Sequence, residues 1–119
     1  MLYVASFFNP RAHHGSVISI ANTAPAGFRS VRRADIFVPG RRLVWDWKDG
    51  RITWPQYTER YMARLDERVA PYHLDQARAW ARNPDRHLTL CCWERDPARC
   101  HRSLMARWLR ERGASVHVT

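Results

Sequence analysis

Lysine, glycine and long apolar runs are scarce in this chain of 119 residues, and each scarcity excludes something. Among the 20 basic residues only Lys48 is not an arginine. No apolar run approaches the about 20 residues that a membrane span needs, so no membrane partner is expected. The opening Met1-Leu2-Tyr3-Val4-Ala5-Ser6 shows no basic segment followed by an apolar stretch and a small-residue cleavage site. The expectation is therefore no signal peptide and an intracellular, cytoplasmic protein. With only 5 glycines there is neither a G-x-G-x-x-G nor a P-loop, which removes the Gly-rich phosphate cradles. The 3 cysteines, Cys91, Cys92 and Cys100, are too few and too close together for a disulfide framework. In a reducing compartment they read as thiols or ligands.

What is present fits one globular domain spanning residues 1–119, with 45% hydrophobic residues and a net charge of +9. A chain of this length buries roughly two-thirds of its unfolded surface, so no disulfide or metal staple is required. An arginine-rich surface attracts phosphates, which makes a nucleotide, another phosphate-bearing ligand or a nucleic acid the expected partner. The same bias toward arginine, alanine and tryptophan also arises from GC-rich coding, so charge alone does not decide between binding and composition.

Leu2 to Phe8 is β-branched and aromatic and is closed by Asn9-Pro10, which predicts a central strand. A second strand is expected over Ser16 to Asn22, an irregular basic loop over Thr23 to Arg33, and a brief third strand over Ala34 to Val38. Leu43, Val44 and Trp47 then fall at helical spacing up to Asp49-Gly50. A longer helix follows, with Thr53 as N-cap and Trp54, Tyr57, Tyr61, Met62, Leu65 and Val69 as its apolar stripe. Another helix is predicted over Leu74 to Arg82, and a strand over Arg86 to Cys92. A last helix, capped by Asp96 with Pro97 at its first position, ends at Gly113 before a terminal strand over Ser115 to Val118. These elements predict an α/β fold, a single-domain three-layer sandwich around a mainly parallel sheet flanked by helices. Ligands of such sheets sit beyond the carboxyl ends of the strands, which points to the loops after Phe8 and after Cys92.

Chemistry concentrates in Cys92-Trp93-Glu94-Arg95-Asp96-Pro97-Ala98-Arg99-Cys100-His101-Arg102. This stretch, with its Leu-Cys-x-Glu run and Cys100-His101-Arg102, resembles the signature of the uncharacterised YeaO-like family, the domain of unknown function 488. The opening Tyr3 to Pro10 with His13-His14-Gly15, and the central Trp47 to Ile52 with Tyr57 and Tyr61, are similar to a short subgroup of that family. The resemblance spans nearly the whole chain, implies membership, and carries no activity with it. Cys91 lies outside the matching pattern.

A thiol near a helix N-terminus, with histidine and arginine beside it, is favoured as thiolate, and Cys100 fits that description. Cys92 at the strand end is a second thiol, as resolving or redox partner. Buried cysteine is equally a small apolar filler, so a structural role stays open. Adjacent residues on a helix point apart, which argues against a nucleophile and base made of Cys100 and His101 alone. His13, His14 or Glu94 then becomes the candidate base. Arg99 and Arg102 at a helix start suit an anion, Trp93 suits a stacked base, and Asn9 in the first strand's loop joins His13 and His14 as a ligand contact. Zinc would accept Cys92, Cys100 and His101, but no Cys-x-x-Cys knuckle exists and the spacing is too wide, so no metal and no cofactor is expected. A phosphatase-type Cys-x5-Arg loop fails too, since the residue six beyond Cys92 is Ala98 and that beyond Cys91 is Pro97. Two functions remain: a small enzyme acting on a nucleotide or other anionic substrate through a catalytic Cys92, Cys100, His101 and Glu94 set, or a non-catalytic nucleotide- or nucleic-acid-binding module with structural cysteines.

Overall fold

The computed structural model describes residues 1–119 as an α/β sandwich built on a four-stranded, all-parallel sheet. In chain order the strands are β1 (Leu2–Ser6), β2 (Ser16–Ser19), β3 (Leu88–Cys92) and β4 (Val116–Val118). Their order across the sheet is β2-β3-β1-β4, so β1 and β3 are central. The helices are α1 (Arg41–Lys48), α2 (Trp54–Arg68), α3 (Pro71–Arg82) and α4 (His101–Glu111). No helix is long and apolar enough to cross a membrane.

Strand order and handedness together decide which face each connection covers. Parallel strands are joined by right-handed crossovers. The β2-to-β3 and β3-to-β4 connections move across the sheet in one direction and therefore lie on one face, whereas β1-to-β2 moves the other way and lies on the opposite face. The packing agrees. Leu2, Val4, Leu88, Leu90, Cys92 and Val116 share one cluster with apolar side chains of all four helices, while Ala5, Phe7 and Cys91 pack with Ala12, Ala21 and Phe28 from loops. The outer layers are thus one of helices and one of loops and a short 3₁₀ turn over Pro10–Ala12. The loop layer comes very close to the sheet at Gly15. A Cβ there would sit 2.0 Å from the His87 carbonyl oxygen, and its φ of 66° suits only glycine.

The long helix α2 begins as its sequence predicts. Thr53 Oγ1 accepts from the Gln56 amide and Gln56 Oε1 accepts from the Thr53 amide, a reciprocal cap. Three elements differ from expectation. Ala34 to Val38 is no strand; Asp35–Phe37 is a 3₁₀ turn, because pairing with the free edge of β2 ends at the isolated Ser19–Arg33 bridge. Tyr61 then holds the turn by donating its hydroxyl to the Phe37 carbonyl at 2.7 Å. Likewise Asp96 caps only the 3₁₀ turn Pro97–Arg99 and not the last helix. The chain straightens at Cys100, with φ −134° and ψ 142°, and Cys100 is the N-cap from which α4 starts at His101. The third helix begins at Pro71, three residues before Leu74, because Pro71 is preorganised for a first helical position.

Candidate functional site

A cavity of about 540 Å³ opens beyond the carboxyl ends of β2 and β3. The β2 end supplies Ala21, Asn22 and Thr23, the β3 end supplies Trp93 and Glu94, and α1 and the start of α2 close it with Trp45, Trp47, Trp54 and Tyr57. Arg41, Lys48 and Arg99 bring positive charge to its wall, and Cys100 and His101 form part of its floor. Lys48 pairs with Glu94 at 3.1 Å. Arg41 and Arg99 enter no ion pair. The Arg99 guanidinium instead lies 5.9 Å from the centre of the Trp47 ring. Trp45 is 60% exposed and Trp93 40%, unusual for the largest apolar side chain unless it meets a partner.

Beneath the cavity three reactive groups converge, with their ligand atoms all within 4.8 Å of one another: Cys92, Cys100 and His101. Cys92 Sγ and Cys100 Sγ are 2.7 Å apart. Because Cys100 is an extended N-cap rather than a helical residue, it and His101 do point to the same place, and Cys100 Sγ lies 3.9 Å from His101 Nδ1. That corrects the expectation drawn from helical spacing. His101 Nε2 donates to the Ile20 carbonyl at 2.7 Å, which turns Nδ1 toward the sulfur. Distance along the chain also proves a poor argument against a shared site, since the turn over Pro97–Arg99 folds Cys100 back onto Cys92.

Arg102 does not line the cavity. It is 0% exposed, and Nη1 donates to Cys92 Sγ at 3.1 Å and to the Glu94 carbonyl, while Nη2 donates to the Arg95 carbonyl at 3.1 Å. Its Nε has no partner. No carboxylate pairs with this buried charge, which therefore favours the thiolate form of the Cys92 sulfur that its Nη1 contacts. Burial alone would push Cys92 up, but the contact with Cys100 and the Arg102 guanidinium overcome it and hold Cys92 below the ordinary thiol range. Cys100 goes the other way, raised by burial and then by its bond to Cys92. Of the pair, Cys92 is thus the more acidic sulfur and Cys100 the less, whereas the helix N-terminus alone had pointed to Cys100. Burial also raises Tyr57 far above its usual range, so that its hydroxyl stays protonated beside the sulfurs.

The first-strand loop is not part of this cavity. His13 Nε2 bonds the Ser6 carbonyl at 2.8 Å and lies 3.6 Å from Cys91 Sγ, on the loop-covered face. His14 stacks on Tyr3 with ring centres 4.1 Å apart. Asn9 is exposed in the turn that leads into Pro10–Ala12. The reason is the handedness given above: β1 hands the chain to the face opposite Cys92. Sequence reasoning placed no ligand contact on α1 or on Asn22. The tryptophans at positions 45, 47 and 54 were the available signal, since a helix as short as α1 needs fewer to fill its core face.

The pattern of Cys92, Glu94, Cys100, His101 and Arg102 now has a place in the fold, and a family model described as the active DUF488-N3 subclade matches residues 2–113. The chain belongs to the DUF488 family. Neither the curated proteins nor the solved structures contain a match to it. The motif's two halves, on either side of a 3₁₀ turn, are thus what bring two sulfurs, an imidazole and a buried guanidinium together in this DUF488 protein. The Glu94 side chain takes no part in that cluster and faces Lys48 in the cavity wall.

Proposed function

We propose that this protein is a small enzyme that acts on a nucleotide or another anionic, ring-bearing substrate by thiol chemistry at Cys100. One observation carries the reading: the floor of a basic, tryptophan-lined cavity holds the Cys100 sulfur and the His101 imidazole and, behind them, Cys92 against the buried Arg102 guanidinium. Trp45, Trp47 and Trp93 offer faces on which a base stacks. Arg41 and Arg99, free of carboxylates, meet its phosphate or carboxylate. As the Cys100 sulfur bonds to an electrophilic carbon of the substrate and the bond from that carbon to its leaving group breaks, His101 Nδ1 takes the thiol proton and passes it to the departing group. Arg102 positions the thiolate and the loop after β3 and does not touch substrate. The description of the matching subclade as active accords with an enzyme, and a reducing compartment such as the cytoplasm suits three free thiols.

Burial favours a second reading, a nucleotide- or nucleic-acid-binding module with structural cysteines, since Cys92 is 0% and Cys100 1% exposed. Alkylation by a small haloacetamide, resolved by peptide mass in the presence of a nucleotide panel, separates the two. The enzyme reading expects Cys100 to be modified and one class of nucleotide to protect it, with protection weakened at least tenfold by Arg41→Ala or Arg99→Ala. Inert cysteines together with nucleotide affinity that falls steeply with salt would leave the binding module.

A further inference from the structure

We infer that Cys92 and Cys100 are a reversible dithiol–disulfide couple that exchanges with small disulfides entering the cavity, and that Arg102 biases the couple toward its reduced state. The inference shares with the proposed function only the premise that Cys100 is reached from the cavity. It adds an activity and a co-reactant class of its own.

Geometry comes first. The two sulfurs are already 2.7 Å apart, and each is held by backbone: Cys92 by the central strand β3, Cys100 by its N-cap position on α4. Only Cys100 lines the cavity, so the pair divides into an outer sulfur that meets the co-reactant and an inner sulfur that resolves. Charge decides the bias. A guanidinium that is 0% exposed has no carboxylate, and its Nη1 donates to Cys92 Sγ at 3.1 Å, which favours the thiolate on that sulfur. Forming the disulfide removes that thiolate and strands a buried positive charge, which is strongly unfavourable. Couples whose reduced form is stabilised in this way have disulfides that are easily reduced. Zinc would use the same three side chains, but two sulfurs bound tetrahedrally at about 2.3 Å lie roughly 3.8 Å apart. Binding it would therefore spread the pair and set a second positive charge beside Arg102.

The exchange balances without an outside proton or electron. His101 Nδ1 takes the Cys100 proton, and the Cys100 sulfur attacks one sulfur of a small disulfide RSSR. A mixed disulfide forms, the RS–SR bond breaks, and the departing RS⁻ takes the proton back from His101. The Cys92 thiolate then attacks Cys100 Sγ, the protein disulfide forms, and the second RS⁻ leaves. The two cysteines are oxidised and RSSR is reduced to two thiols, one of them ionised, so the total charge is unchanged.

The test is equilibration of the full chain with glutathione and its disulfide at varied ratios, followed by acid quench, alkylation and peptide mass. A peptide pair linked through Cys92 and Cys100 is expected, reversed by dithiothreitol, with the dithiol dominant unless glutathione disulfide is in excess. Arg102→Met should move the equilibrium at least tenfold toward the disulfide, and Arg102→Lys, which keeps the charge, by less. Should Arg102→Met fail to fold, Cys92→Ser decides the matter by accumulating one glutathione on Cys100, while Cys100→Ser leaves Cys92 unmodified. No linked peptide at any ratio, an equilibrium unmoved by the Arg102 variants that fold, or one equivalent of zinc that blocks oxidation would each overturn the inference. Nucleotide protection is read separately, so a couple that exchanges without nucleotide protection sinks the proposed substrate and spares the exchange.

Discussion

Cys91 and Cys92 are adjacent in β3, yet they live in two different regions of the molecule. Strand alternation sends Cys92 to the helix-covered face, where it meets Cys100 and Arg102, and sends Cys91 to the loop-covered face, among Ala5, Phe7 and Ala12. Both are fully buried, so burial does not distinguish them. The partners do. Burial pushes the Cys91 thiol up to about 12, with only a minor opposing pull from Arg102, whereas the contacts of Cys92 outweigh the same penalty. The comparison teaches that reactivity here comes from the helix layer, which supplies charge and donors, while the loop layer supplies cover.

The most damaging way to break the contrast is Arg102→Met. It should cost about 3–5 kcal/mol in denaturant unfolding, because it removes a buried charge partner from Cys92 and leaves the Glu94 and Arg95 carbonyls without donors. Cys92 should then behave like Cys91. Next comes Tyr61→Phe on the same face. Loss of the hydroxyl that serves the buried Phe37 carbonyl should cost about 1–3 kcal/mol without altering either cysteine.

Cys91→Ala on the loop face should cost less, about 1 kcal/mol for a small buried group, and should leave alkylation of Cys100 unchanged. Its signature is in alkali. Between its ordinary 9.0 and about 12 the unfolded chain releases the Cys91 proton while the folded protein keeps it, so stability falls as pH rises through that window. The Cys91→Ala variant should lose less stability there than the parent. Cys92 runs oppositely. Its depressed value contributes stability that is complete above 9.0 and lost as pH falls through the folded value, and Cys92→Ala should abolish that acid-side slope. Smallest is Phe28→Ala, half-buried against Phe7 with ring centres 4.9 Å apart, at about 1 kcal/mol with no effect on any thiol.

Most of the architecture was legible because its signals are local. The apolar run Leu88-Thr89-Leu90-Cys91-Cys92 could only be an interior strand, and Thr53 as N-cap announced the start of α2. Failures arose where a local signal competed with a tertiary one. Ile36 and Phe37 look like strand residues, but β2 offers its outer edge only as far as Arg33. Asp96-Pro97 has the chemistry of a helix start, but the chain must extend at Cys100 to bring its sulfur to Cys92. The site was legible as a motif and not as a geometry. Cys92, Cys100 and His101 could be named from sequence, whereas the placement of His13 and His14 on the far side of the sheet followed from strand order, which no local pattern encodes.

The central claim is that Arg102 and Cys100 make Cys92 the most acidic of the three thiols, and thiolate ultraviolet absorbance titrated in the Cys91→Ala variant tests it most directly. The account predicts that absorbance from one thiolate develops below the ordinary thiol value of about 8.5, and that this component disappears in the Cys91→Ala, Cys92→Ser double variant. Absorbance that develops only above about 8.5, with the same curve in both variants, would contradict it.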